Sequence, residues 1–327
     1  MSWTDIYGQD DAKRLLQAHL KAQEVPGGYL FVGPEGVGKR KLALEMAKAL
    51  NCTTADGRRP CDACPTCLQI SKGGHPDVHL LLPGGASDQV KIEAVRQLLG
   101  RFALRPFNAA VQVALIDGAH RLTEEAANAL LKALEEPSRS ARFLLTTSRL
   151  ADCLPTIVSR CQLVRCGPLP TDVVARLLVD LHGCDSRTAE AASRLSAGSA
   201  SRALELAERW DAYQRTLARL GAEQPEIEWL EKGLPETRQE LALLLEDMTA
   251  WLRDVALVAS GSPQPLAHAG HAGILRKQAA AVDADRCVDT AFELMSLRES
   301  LEQFVSPRLV AALAREKWLS LLGAQGV

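Results

Sequence analysis

The feature that most constrains this chain is a glycine-rich turn set between a strand and a helix. Tyr29–Val32 is a short apolar run, and Gly33-Pro34-Glu35-Gly36-Val37-Gly38-Lys39-Arg40 follows it. Leu42, Met46, Ala47 and Leu50 then share one helical face. Gly33, Gly36 and Gly38 let the backbone curl so that its N–H groups surround an anion at the helix N-terminus, where Lys39 reaches the outer phosphates. The pattern matches G-x-x-x-x-G-K-[ST] in all but its last position. Arg40 stands where a Ser or Thr hydroxyl would hold Mg²⁺. The turn therefore reads as a degenerate nucleotide-binding loop: ATP or ADP remains a candidate ligand, and efficient hydrolysis is not expected.

The pattern downstream agrees with such a turn. Val78–Leu82, Val111–Ile116, Phe143–Thr147 and Gln162–Arg165 read as strands. Between them Ile92, Val95, Leu99 and Phe102 form one helical stripe, and Ala127, Leu130, Leu131 and Leu134 another, ended by Pro137. This alternation predicts an α/β fold with a mostly parallel sheet covered on both faces. After Gly167-Pro168-Leu169-Pro170 the strand signals fade. Helices are predicted from a Thr171 cap, over Ser186 to about Ser196, and from Ser199 with Ala203, Leu206, Ala207 and Trp210 on one face. Gly221, Pro225, Gly233 and Pro235 mark a linker, and longer helices follow over about 236–259, 272–282, 285–303 and 307–322. The expected organisation is three domains, 1–168, 169–210 and 211–327.

Composition removes several classes. Of 327 residues, 47 % are hydrophobic and 24 % charged, which excludes wholesale disorder. The 38 basic and 40 acidic residues leave a net charge of −2, too little for a general cationic nucleic-acid coat. Apolar runs fall far short of the ~18 residues of a membrane span. Met1–Asp5 shows no basic, apolar leader, and nine cysteines, an odd number, argue against a disulfide framework. The expectation is a cytoplasmic chain with no membrane segment.

Four of the cysteines are clustered. Cys52, Cys61, Cys64 and Cys67 give C-x8-C-x2-C-x2-C, which suits tetrahedral Zn²⁺ in a module spanning about 51–77. Four thiolates close the site, so the metal is expected to be structural. His75 and His79 are alternative ligands, and redox use of Cys64 and Cys67 is a further reading. Arg58, Arg59 and Lys72 are balanced by Asp56 and Asp62, and aromatics make up only 4 % of the chain. Both facts count against a stand-alone zinc-dependent nucleic-acid binder.

Three further positions bear on chemistry. Asp117 ends the strand at Ile116, where a nucleotide site holds its metal; it is either that carboxylate or only a strand-end residue. The next position, where an acid would orient the attacking water, is Gly118. His120 reads as a loop or packing histidine. Arg160, just before the strand Gln162–Arg165, is either a surface ion-pair residue or an arginine finger reaching another subunit's nucleotide.

Taken together, these residues resemble the AAA+ clamp-loader subunits of bacterial DNA polymerase III. Ala126–Pro137 (Ala-Ala-Asn-Ala-Leu-Leu-Lys-Ala-Leu-Glu-Glu-Pro) is similar to that family's most recognisable stretch, and Phe143–Ser148 to its sensor-1 strand, which carries Thr147. Leu154–Cys161 resembles its Ser-Arg-Cys segment. The cysteine set and His75-Pro76-Asp77 resemble its zinc module, and Trp251–Asp254 and Ser306–Leu309 are weaker likenesses to its collar. The resemblance is specific over 28–165 and loose beyond about 210.

It implies an AAA+ P-loop-type sheet with an embedded zinc module, a small helical lid and an all-α oligomerisation collar. It also implies a place in a hetero-oligomeric ring with ATPase motor subunits and the delta subunit, acting on the sliding clamp and primed DNA within a nucleotidyltransferase holoenzyme. Site residues carried over are Gly33, Gly36, Gly38, Lys39, Arg40, Asp117, Thr147 and, as a sensor-2 position, Arg202. Arg160 would be the finger supplied in trans. The Arg40 and Gly118 departures, and a chain ending at Val327 without a long C-terminal extension, fit a largely rigid, non-hydrolysing subunit. The alternative is an ATP-hydrolysing motor-type subunit.

Overall fold

A computed structural model describes residues 3–54, 59–84, 88–222, 234–235, 237–302 and 305–322. Asp56, Arg58, Pro225 and Gly233, singled out above, lie outside the described residues, as do the predicted helix ends at 236 and 303. The described chain divides into two compact units: Met1–Gly183 with Ser196–Ala203, and Cys184–Leu195 with Leu204–Val327.

The first unit is built on one five-stranded sheet. Its strands are β1 (Gly28–Val32), β2 (Val78–Leu81), β3 (Gln112–Ile116), β4 (Ala141–Thr147) and β5 (Gln162–Arg165), in the spatial order β2-β3-β4-β1-β5. Every pairing is parallel. The expected α/β architecture with a parallel sheet is therefore present. The strand runs are apolar at successive positions because both faces are covered. On β3, Val113 and Leu115 join Tyr29, Phe31 and Leu144 on one face, while Ala114 and Ile116 join Leu30, Phe143 and Leu145 on the other. The first face packs against α1 (Asp10–Ala22) and α2 (Lys39–Asn51), through residues such as Leu16, Leu42 and Met46. The second packs against α4 (Ile92–Phe102) and α5 (Glu124–Glu135), through Val95, Leu98, Leu130 and Leu134. Thr123 caps α5 by accepting a hydrogen bond from the Ala126 amide.

Shorter elements complete this unit: α3 (Pro65–Ser71), α6 (Pro155–Val158) and α7 (Thr171–His182). Helices α1 and α3 are absent from the sequence reading. Thr171 is the first residue of α7 rather than its cap; Pro170 precedes it in extended conformation and no side chain caps the end.

The second unit is helical among its described residues. It holds α8 (Ser186–Leu195), the later part of α9 (Ala200–Glu208), α10 (Trp210–Leu220), α11 (Arg238–Ala259), α12 (Ala272–Ala279), α13 (Ala284–Glu302) and α14 (Pro307–Leu321). Trp210 begins α10 rather than extending α9, because the helix breaks at Arg209, whose guanidinium forks onto Asp247 at 2.7 Å. Trp251 is fully buried and donates to Gln278 Oε1 at 2.8 Å, and Gln278 in turn donates to the Leu220 carbonyl at 2.7 Å. Buried Asp254 accepts from the backbone and ring nitrogens of His268 at 2.7 and 2.9 Å, and the other ring nitrogen meets Tyr213 Oη. The Trp251–Asp254 signature is thus the polar anchor of a core that also holds Leu241, Leu245, Leu294, Val310 and Trp318. No helix among the described residues is long and apolar enough to cross a membrane.

Candidate functional site

In a parallel sheet the loops that leave the carboxyl ends of the strands gather on one side, and here they form a cleft of about 420 Å³. The glycine-rich turn leaves β1, Asp117 and Gly118 leave β3, and Thr146 closes β4. Gly33 and Gly36 are required sterically. A Cβ on Gly33 would lie 1.9 Å from the Cys166 carbonyl oxygen, and one on Gly36, where φ is +73°, would lie 2.0 Å from Ser201 Oγ. The Ala200 amide also donates to the Gly36 carbonyl at 2.9 Å, which ties the start of α9 to the turn.

Lys39 is the first residue of α2, and its ammonium donates to the Gly33 and Pro34 carbonyls at 2.8 and 2.5 Å. Burial holds its pKa below the ordinary lysine value, against the opposing pull of Cys166, Glu35 and Asp117. Arg40 points across the cleft, and its Nη1 lies 3.2 Å from Asp117 Oδ2. The other Asp117 oxygen accepts from Thr146 Oγ1 at 2.5 Å, and the same hydroxyl accepts from the Gly118 amide at 3.1 Å. The residue replacing the Mg²⁺-binding hydroxyl has therefore become the counter-ion of the carboxylate that would hold the metal.

Other sequence-predicted positions are more dispersed. Thr147 is fully buried and contacts His120 Nδ1 and the Arg149 backbone, while Thr146 and His120 line the cleft. Burial, then Arg121 and Arg149, hold His120 below the usual histidine range. Arg202 is exposed in the first turn of α9, with its amide 3.3 Å from Ser199 Oγ. Glu35, Arg121 and Ser201 also line the cleft and are missing from the sequence reading. Thr146 is missed because adjacent threonines on a strand point to opposite faces, and only the register shows which one meets Asp117.

The amino ends of the strands carry the remaining groups. The Sγ atoms of Cys52, Cys61, Cys64 and Cys67 all lie within 4.8 Å of one another. Ligands at the usual Zn–S length sit about 3.8 Å apart in a tetrahedron, so this donor set fits one zinc-sized ion. Cys64 caps α3, taking the Cys67 amide on its sulfur at 3.4 Å, and Cys61 takes the Cys64 amide at 3.3 Å. His75 and His79 are not in the cluster: His75 Nδ1 accepts from the Asp77 amide, and His79 Nδ1 meets Arg101. Buried Lys48 on α2 binds Asp62 of the cysteine loop and Glu45, each at 2.6 Å. Asp77 accepts from the amides of Phe107, Asn108 and Ala109 at 2.7 to 3.0 Å, and Asn51 accepts from the Val111 amide at 2.9 Å. Arg160, just before β5, pairs with Glu135 and donates to the Thr156 carbonyl at 3.0 Å. Its side chain is 30 % exposed.

Comparison with known proteins places this architecture. Residues 8–170 match the family model described as DNA polymerase III, delta subunit. The chain is 33 % identical over 181 residues to DNA polymerase III subunit delta' of Bacillus subtilis, covering 55 % of this chain and 54 % of that one. It is 39 % identical over 142 residues to the Pseudomonas aeruginosa delta', covering 43 % of each. It is 37 % identical over 160 residues to DNA polymerase III subunit tau of Escherichia coli, covering 49 % of this chain and 24 % of that one. The chain thus aligns with about half the length of these delta' relatives. A solved gamma subunit-related protein of Thermotoga maritima is similar at 19 % identity and a TM-score of 0.43, covering 93 % of this chain and 99 % of that one. A Thermotoga maritima RuvB structure is similar at 19 % identity and 0.45, covering 87 % and 85 %. With the phosphate-type loop, the parallel sheet and the cysteine cluster all inside the matched region, the chain belongs to the DNA polymerase III delta'/tau/gamma clamp-loader family.

Proposed function

We propose that this chain is a delta'-type subunit of a clamp loader: a rigid, non-hydrolysing member that helps place the sliding clamp on primed DNA. The observation that carries the reading is the Arg40–Asp117 pair. A phosphoryl-transfer site of this type needs a metal held by a loop hydroxyl and an acid, and a group to position the attacking water. Here an arginine occupies the hydroxyl's position, the acid's two oxygens are engaged by Arg40 and Thr146, and Gly118 offers no carboxylate. The residues present do not fit Mg²⁺.

Arg160 is the second part of the reading. Tyr29 pairs with Gln162 and Val32 with Arg165, so Arg160 lies at the opposite end of the sheet from the turn that follows Val32. It is out of reach of its own cleft and suited to a neighbour's nucleotide, as an arginine finger in trans. Glu135 holds the guanidinium at the surface, and a phosphate can displace that carboxylate because Arg keeps its charge and fork geometry. The four cysteines would hold structural Zn²⁺, fixing a loop that lacks an apolar core of its own. Residues 1–168, 169–210 and 211–327 serve as nucleotide-binding-like domain, lid and collar, within a ring containing ATPase subunits and delta.

An ATP-hydrolysing motor-type subunit is the second reading, favoured by the 37 % identity to tau. Turnover by the isolated chain separates the two. The proposed function predicts no Mg²⁺-dependent ATPase above background. A robust activity abolished by Lys39→Ala would establish the motor reading instead.

A further inference from the structure

Several arginines of this chain face a carboxylate: Arg40, Arg121, Arg160, Arg209 and Arg298 each do. Arg142 does not. It is the second residue of β4, two before Leu144, so it lies on the sheet face that Tyr29, Val113 and Leu144 otherwise make apolar. Its Nη1 folds back onto the Arg139 and Ala141 carbonyls at 3.1 and 2.6 Å, and its Nε is buried with no acceptor among the described residues. The Nε atoms of Arg160 and Arg209 are buried and unbonded too, but their Nη atoms hold Glu135 and Asp247. Burial holds the Arg142 pKa below the ordinary arginine value. Arg142 thus carries the cost of a desolvated charge without the pairing that would offset it.

Beside it, at the amino ends of the strands, opens a groove of about 1310 Å³. Two further cations line it, Lys21 at the end of α1 and Arg59 of the cysteine loop, and both are exposed. Among the described residues no carboxylate lines the groove, and none of the three cations has an ion-pair partner. Leu20, Val25, Leu50 and Val111 make an apolar floor, with Trp3 beside them donating its indole N–H to the Arg59 carbonyl at 2.8 Å. We infer that this groove binds an acidic peptide segment of a partner protein, one that sets a large apolar side chain on the floor and Asp or Glu carboxylates on Arg142, Arg59 and Lys21.

Charge, shape and size select that occupant. The volume exceeds the range of about 300–1,000 Å³ typical of small-molecule sites. The floor takes an apolar side chain at the centre of the site, and three uncompensated cations take acids around it. A nucleic-acid backbone needs cations strung along its path, whereas these are grouped round one apolar floor and suit charges delivered singly by short side chains. The Arg142 guanidinium can take a carboxylate through two parallel bonds once it releases the Arg139 and Ala141 carbonyls.

The test is a selection of random phage-displayed peptides against the full chain, followed by titration of a labelled copy of the selected consensus by fluorescence anisotropy. The retained peptides should be enriched in Asp or Glu beside a large apolar residue, and their binding should fall with salt. Arg142→Met should weaken the consensus peptide about tenfold or more, the size of one lost charge-assisted hydrogen bond. Lys21→Glu should weaken it more than Lys21→Gln. Arg142→Met should melt no lower than the native chain, because an unpaired, desolvated charge does not stabilise the fold. Arg142→Lys, which keeps the charge and loses the fork, serves if that variant does not fold, and should bind more weakly than the native chain. No acidic and apolar consensus, or a consensus that binds unchanged to the Arg142 variant, overturns the inference. So does tighter binding of a labelled oligothymidylate that is lost in the same variant, which would make the groove a nucleic-acid site.

Discussion

At the carboxyl ends of the strands the charged groups face an open cleft, and Arg40 and Asp117 meet across it at 3.2 Å with the arginine largely in water. At the amino ends the charged groups are mostly buried and bonded to backbone or to each other. Lys48 is held between Glu45 and Asp62, and Asp77 gathers three consecutive amides. The contrast shows where substitution is cheap. An exposed pair contributes about 1 kcal/mol or less, so the cleft can exchange catalytic groups without endangering the fold. A buried carboxylate serving several amides cannot be replaced without stranding those donors. The end of the sheet that resembles a nucleotide site thus holds Arg40 and Gly118 where the motif has a hydroxyl and an acid, while the opposite end is tied together by buried polar contacts and carries Arg160.

The largest expected effect lies in the cysteine cluster. In small metal modules the metal's binding energy, about 10 kcal/mol or more, is folding energy. Chelation or Cys64→Ser should open residues 52–72 to proteolysis, and metal analysis of the native chain should find one zinc per chain. Less than half an equivalent, with all four thiols freely titratable, breaks this side of the comparison.

Asp77→Ala should cost about 3 kcal/mol, because three amides lose a charged acceptor. Burial raises the Asp77 pKa, but the amides of Asn108, Phe107 and Ala109 outweigh it and the folded value is depressed. Its stabilisation is therefore full above the unfolded pKa, near 3.9, and is lost as pH falls through the folded value. Urea titrations between neutral and acid pH should show the native and Asp77→Ala curves converging as pH drops. A constant gap assigns the effect to packing alone.

The smallest effect belongs to the cleft. Arg40→Thr should change unfolding free energy by no more than about 1 kcal/mol, and less at high salt. A larger loss at all ionic strengths would mean that the two ends do not differ as described.

Much of this was legible in the sequence where chemistry needs fixed spacing. The Gly33–Lys39 turn, the four cysteines and the strand runs are local patterns, and each appears within a residue or two of its expected place. What was not legible depends on residues distant in sequence. Arg40 and Asp117 are 77 positions apart, Asp77 and Asn108 31, and no periodicity announces their pairing. Helix α1 places Ala12, Leu15, Leu16 and Leu20 on one face against the sheet, a helical spacing that is present in the sequence although no helix is read there. Helix α3 is short and takes its start from Cys64, a residue read for metal rather than for capping.

Under the proposed function, this chain lends Arg160 to a neighbour's nucleotide while its own site turns nothing over. The most direct measurement is DNA-stimulated ATPase of the reconstituted complex carrying either Arg160→Ala or Lys39→Ala in this chain alone. A finger supplied in trans contributes about 10³–10⁵ in rate at the site it serves, so Arg160→Ala should silence one site and reduce the total partially. Lys39→Ala should leave the total unchanged, and both complexes should assemble. Loss of activity with Lys39→Ala and none with Arg160→Ala would contradict the trans-acting role of Arg160.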